Sequence, residues 1–111
     1  MIYEQRDIVL IPFPYSDLTG SKKLPALIIS NSNINNTDYR ICCLITRNSR
    51  KGDLEIKNSD FENGKLPFKS FVRAQRIFTI EAGIVIKKLC KIKPEFHDRV
   101  IEQVNEYLKG I

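Results

Sequence analysis

Residues 7–30, DIVLIPFPYSDLTGSKKLPALIIS, decide how this chain folds. The stretch reads as strand, loop, strand. Residues 7–13 (DIVLIPF) and 25–30 (PALIIS) are short apolar runs rich in β-branched side chains, the composition of buried strands. Between them, residues 14–24 collect Pro, Ser, Asp, Thr, Gly and two Lys, which is turn chemistry ending in positive charge. Gly20 in this loop is free to take a positive φ. Pro12 has no N–H to give a ladder, which assigns it to a strand end or an edge. A polar, cationic loop gripped at both ends by buried strands is a natural seat for a function.

Outward from this stretch, the chain continues as short strands. Residues 31–38 (NSNINNTD) form an Asn-rich surface connection with Asx-type turns, and residues 39–46 (YRICCLIT) are apolar almost throughout, as a central strand is. A cationic turn, RNSRKGD, follows at 47–53. LEIK at 54–57 alternates and predicts a short strand. Residues 58–67 read as a loop whose tightest turn is Asn63–Gly64. A long strand region covers 68–80, a turn or single helical turn 79–83, and a last strand 84–92 (IVIKKLCKI). The period changes at Pro94, a residue suited to the first helical position. Phe96, Val100, Ile101, Val104, Tyr107 and Leu108 then recur at helical spacing, with Glu95, Asp98, Arg99, Glu102, Glu106 and Lys109 on the other face. This predicts an amphipathic helix ending at Gly110. Short strands followed by one helix imply a mainly β fold: a strongly bent sheet of five to seven strands with a C-terminal helix packed on it.

The length of 111 residues predicts a single domain over 1–111. Charge appears at once in MIYEQRD, and no apolar run approaches the roughly 20 residues of a membrane span. A soluble, cytoplasmic chain with no membrane partner is expected. Lys and Arg number 18 against 13 Asp and Glu, a net charge of +5, which is compatible with a polyanionic ligand. Cys42 and Cys43 are adjacent, so in a strand they point to opposite faces. With Cys90 they have no metal-ligand spacing and read as reduced core thiols. The one histidine, His97 beside Phe96, reads as a partly buried helix-border residue.

Several motifs recur together. DIV at 7–9, PFPYSDLT at 12–19 and SKK at 21–23 precede PALIIS; CLIT stands at 43–46 and SFVRAQRIFTI at 70–80. In this order and spacing, spanning most of the chain, they resemble the PemK/MazF family, the toxins of bacterial and archaeal toxin–antitoxin pairs and small ribonucleases that cut messenger RNA. The resemblance implies an SH3-like barrel and a homodimer holding single-stranded RNA near the subunit interface. It also implies a cognate antitoxin whose acidic, partly disordered tail occupies the same basic groove, with DNA binding by toxin and antitoxin together. No cofactor is implied. Cleavage would leave a 5′-hydroxyl and a cyclic or 3′-phosphate.

Cutting RNA this way needs little machinery. The ribose 2′-hydroxyl attacks the adjacent phosphorus, so one proton must leave, another must arrive, and charge on the phosphoryl oxygens must be stabilised. Arginine suits those oxygens because its planar fork stays charged. The sequence holds no carboxylate cluster with metal spacing and no histidine pair, so a nuclease here is expected to be metal-free. In the family an arginine directly before the Pro-Ala pair carries much of this burden, with a threonine at the end of the following strand. Thr46 stands at the second position; at the first stands Leu24. Lys23 and Arg47 are the candidate replacement cations, with Lys23 and Thr46 the candidate catalytic pair. Ser70, Arg73 and Gln75 are candidate substrate contacts, alternation putting Arg73 and Gln75 on one face and Ser70, Val72 and Arg76 on the other. Ser21 joins them, and Tyr15, Phe13 or Phe71 offers stacking surface for unstacked bases. Leu24 keeps two rivals open: a non-catalytic module binding RNA or an acidic segment, and a toxin with a protein target, as the CcdB gyrase poisons are.

Overall fold

The computed structural model describes residues 3–13 and 22–109. Seven strands and two α-helices run in the order β1 (Asp7–Phe13), β2 (Lys22–Ile28), α1 (Ser32–Asn35), β3 (Tyr39–Thr46), β4 (Leu54–Ile56), β5 (Phe61–Asn63), β6 (Ser70–Glu81), β7 (Lys87–Ile92) and α2 (Pro94–Lys109). Single 3₁₀ turns fall at Asn58–Asp60 and Ala82–Ile84.

The strands make one antiparallel sheet in the order β4-β6-β3-β2-β1-β7-β5. Its two edge strands, β4 and β5, are neighbours in sequence, separated only by residues 57–60. A flat seven-stranded sheet would hold its edges about 29 Å apart, at about 4.8 Å per strand. The five steps from Ile56 to Phe61 span at most about 18 Å. The sheet must therefore curl, and it forms a nearly closed barrel.

Pleating sorts the core into two clusters. Ile8, Leu27, Cys43, Ile45, Val72 and Ile92 face one way and pack with Phe96, Val100 and Val104 of α2. Val9, Ile11, Ala26, Ile28, Cys42 and Ile80 face the other, with Tyr3, Phe78 and Val85 against them. Consecutive residues of one strand thus enter opposite clusters, as a two-residue period requires. Each large apolar side chain buried in this way contributes about 1.5–3 kcal/mol. Pro12 lies beyond the β1–β7 pairing, which covers Asp7 to Leu10, so its missing N–H costs that ladder nothing.

Several boundaries differ from the sequence expectation. β2 starts at Lys22, because Lys22, Lys23 and Leu24 pair with Phe13, Pro12 and Ile11 and extend the hairpin past the apolar run. The Asn-rich connection contains one helical turn, capped by Asn31, whose Oδ1 accepts the Asn33 N–H at 3.0 Å. β5 falls inside the expected loop 58–67; three residues are too few to display a period, and pairing with β7 is what makes them a strand. Gly64 then turns with φ +71°. The last strand begins at Lys87, three residues later than its apolar run, since Ala82–Ile84 is a 3₁₀ turn.

Helix α2 matches its periodicity through Phe96, Val100 and Val104, but its last turn overhangs the sheet, leaving Tyr107 43% and Leu108 71% exposed. Tyr107 still covers the 47–53 turn: Gly52 has φ +91°, and a Cβ there would lie 2.6 Å from the tyrosine hydroxyl. The thiols are buried and unpaired, and burial pushes Cys42 and Cys43 to about 12 and Cys90 to about 11. His97 is buried, its Nε2 3.4 Å from the Ile29 carbonyl. No helix among the described residues is long and apolar enough to cross a membrane.

Candidate active site

The site is built where β2 begins and β3 ends. Their ladder pairs Ala26 with Leu44 and ends there, two residues short of Leu24 on β2 and of Thr46 on β3. The ladder stops at Pro25, which has no N–H to continue it. Strand parity sets the faces. Cys43 and Ile45 enter the helix-packed cluster, so Thr46 points to the opposite face, the face of Ala26 and Leu24. Lys23 has the parity of Leu27 and leaves on the far side from Thr46. The cation that shares the threonine's face is Lys22, two residues from Leu24 and fully exposed.

Beyond Thr46 the chain turns through residues 47–53. Thr46 Oγ1 accepts the Asn48 N–H at 3.1 Å, which leaves the hydroxyl proton for an outside acceptor. Arg47 is exposed, and its guanidinium carbon sits 4.2 Å over the centroid of Phe68, an aromatic ring 57% exposed on the 64–69 segment. Arg47, Arg50 and Lys51 all stand exposed on the turn that follows Thr46, a cationic rim beside its hydroxyl.

Arg73 does something other than face solvent. It is 9% exposed and grips Asp53 with two bonds, Nη2 to Oδ2 at 2.9 Å and Nε to Oδ1 at 3.2 Å. Its Nη2 also donates to the Asn48 carbonyl at 2.9 Å. Burial drives the Asp53 carboxyl upward, and the bonds from Arg73 and the Arg50 N–H more than offset this and hold it below the usual range. The hydrogen bond to Asp53 raises Arg73 correspondingly. Ser70 is buried too, its hydroxyl donating to the Phe68 carbonyl at 2.8 Å.

Val72 and Ala74 both enter the helix-packed cluster, so alternation holds through Arg73, and the β3–β6 register then jumps: Leu44 pairs with Arg73 but Cys43 with Ile77. Residues 74–76 are bulged out, and Ala74 is buried while Gln75 and Arg76 are exposed. Phe71 pairs with Thr46 across the ladder. Tyr15 and Ser21, and the side chain of Phe13, lie outside the described residues. Four residues were not anticipated as site elements: Lys22, Asn48, Asp53 and Phe68. Lys22 is readable from alternation once the strand start is known; a lone Asp and Phe in polar loops carry no signal of their own.

A cleft lies elsewhere on the molecule. A cavity of about 400 Å³, lined by Gln5, Arg6, Asn31, Asn35, Asn36 and Lys91 among others, opens at the opposite end of β2 and β3. Seven residues of extended chain separate Leu24 from Asn31, about 23 Å. Its lining charges are paired, Arg6 with Glu62 and Lys91 with Glu4 and Asp7. Among the described residues, no three His, Cys, Asp or Glu side chains come together as a metal site.

Residues 4–108 match the model of the PemK-like, MazF-like toxins of type II toxin–antitoxin systems, and the chain belongs to that family. Similar solved structures agree on the fold. A mycobacterial endoribonuclease in complex with its cognate antitoxin is 18% identical with a TM-score of 0.75, covering 97% of this chain and 94% of that one. MazF from Deinococcus radiodurans is 15% identical with a TM-score of 0.75 over 99% of both chains. A MazE–MazF complex from the same organism reaches a TM-score of 0.81 at 15% identity, over 100% and 99%. No curated protein matches the sequence.

Proposed function

We propose that this toxin-family chain is an endoribonuclease that cleaves single-stranded messenger RNA without a metal ion. What supports this reading is strand parity, which gives Thr46 the face of Ala26, Leu24 and Lys22 near the end of the β2–β3 ladder. Thr46 donates its hydroxyl proton to a phosphoryl oxygen as charge develops there. Lys22 supplies the positive charge that the family's arginine would have brought from position 24, as a point charge instead of a fork. Arg47 and Phe68 offer a cation and a flat ring for phosphate and base, a pairing suited to unstacked nucleotides. Ser70 and Arg73 act from beneath by holding the 47–53 and 64–69 segments, and Gln75 stands exposed for base edges. As a toxin the chain works as a homodimer and is neutralised by an antitoxin with an acidic segment laid on the cationic rim.

Leu24 favours a second reading, an RNA-binding module that grips its ligand without cutting. One assay separates the two: purified protein with a long unstructured RNA in EDTA, the cut ends mapped. Cleavage leaving 5′-hydroxyl ends is expected. Thr46→Val should slow it about 100-fold, the usual cost of one directed donor. Lys22→Ala should lose more activity than Lys23→Ala, and Leu24→Arg should cut faster than the parent. Salt-sensitive RNA binding with no cleavage in either parent or Leu24→Arg would establish the second reading instead.

A further inference from the structure

We infer that Arg73 and Asp53 are positioning residues for the Thr46 hydroxyl, acting through the backbone conformation of Asn48; this rests on the ribonuclease reading of the same site. The chain of contacts is continuous. Asp53 aligns the guanidinium of Arg73 through both carboxylate oxygens, at 3.2 and 2.9 Å. The same Nη2 donates to the Asn48 carbonyl at 2.9 Å, and the Asn48 N–H donates to Thr46 Oγ1 at 3.1 Å. Asp53 is itself tied back to the turn, accepting the Arg50 N–H at 2.8 Å while its own N–H donates to the Arg50 carbonyl at 3.0 Å.

Burying the pair is costly. The Arg73 and Asp53 side chains are 11% and 2% exposed, and desolvation of two such ions commonly cancels their attraction, so a packed apolar pair would serve stability as well. What the apolar pair lacks is a donor for the Asn48 carbonyl. That bond holds the 48–49 peptide, while the Asn48 N–H belongs to the 47–48 peptide on the other side of the Asn48 Cα. The two contacts together restrict the φ and ψ of Asn48, and this aims its N–H. A hydroxyl has two lone pairs and one proton. With one lone pair held by Asn48, the remaining rotations of the Thr46 O–H are restricted, and its proton is directed away from the turn toward the face of Leu24 and Lys22. Arg73 reaches this position because it pairs with Leu44, two residues before Thr46 and on the same face. The adjoining bulge at 74–76 then returns β6 to the core, so a single arginine can leave the sheet without turning its neighbours out.

The test uses the full chain with Arg73→Met, Arg73→Lys and Thr46→Val. Arg73→Met should lower the kcat of RNA cleavage tenfold or more with KM within twofold, and Arg73→Lys should recover part of that loss. Exchange of the Asn48 amide proton, followed by NMR, should accelerate at least fivefold in Arg73→Met. It should be unaffected by the same substitution in a Thr46→Val background, where the acceptor is already gone. An Asn48 amide that exchanges at the wild-type rate in Arg73→Met overturns the inference, as does a loss confined to KM. If the wild-type chain cuts no RNA, the ribonuclease reading fails by itself, and the Asn48 exchange still decides whether the clamp exists. Should Arg73→Met not fold, Arg73→Lys carries the same exchange measurement, with faster exchange expected and an unchanged rate overturning the clamp.

Discussion

The two connections that flank β3 are held by opposite means. Residues 31–38 lead into the strand without an ion pair: Ser30 Oγ donates to Asn35 Oδ1 at 2.6 Å, Asn35 Nδ2 donates back to the Ser30 carbonyl at 2.6 Å, Ser30 Oγ accepts the Ile41 N–H at 3.0 Å, and the buried Arg40 donates Nη1 to the Thr37 carbonyl at 2.8 Å. Residues 47–53 leave it on a buried ion pair, with exposed cations spread over the turn. Neutral amides satisfy backbone groups with little desolvation, which is all a structural connection requires. A buried charge pair is a costlier fastener, and it stands at the 47–53 end, where the proposed site lies, while the buried Arg40 at the other end is held by carbonyls.

Truncation should separate the two connections most sharply. Asp53→Ala strands the Arg73 charge in a buried site and should cost about 3–5 kcal/mol of stability, read by urea unfolding. A loss under 1 kcal/mol would mean the turn relaxes to hydrate the arginine and that the clamp is weak. Asn35→Ala leaves the Ser30 carbonyl without its donor and should cost about 1–3 kcal/mol, with RNA cleavage per folded molecule unchanged. If cleavage fell in proportion, the far end of β3 would belong to the site after all.

Acid should weaken the molecule in two stages. Burial lowers the His97 pKa despite the bond to Ile29 and the nearby Asp98 charge, so the fold holds the neutral ring. Above about 6.5 neither state takes up a proton there, and His97 is without effect. As pH falls below that value, the unfolded chain binds a proton that the folded chain refuses, and stability declines until the lowered folded pKa is reached. Asp53 acts later: its folded pKa is depressed, so its contribution is complete above about 3.9 and is lost as pH falls through the folded value. In a His97→Gln variant the first stage should vanish and the second remain; a curve with the same slope between pH 6 and 5 would assign that stage to another group.

Much of this molecule was legible in its residues. β1 and β3 have the limits their apolar runs imply, α2 starts at the proline that suits a first turn, and the order of motifs identifies the family. Thr46 could be singled out because it closes a strand that periodicity defines. These features are local: they depend on neighbours two to four residues apart, and a linear pattern records such neighbours. Pairing is not local. Only the folded sheet decided that β2 begins at Lys22, that FEN is a strand, and that β6 bulges between Arg73 and Ile77. From those registers follow the opposite faces of Lys22 and Lys23 on β2 and the exposure of Gln75 and Arg76 beside the buried Arg73. The Arg73–Asp53 clamp joins residues 20 apart in sequence, and nothing in either residue's own surroundings reveals the other.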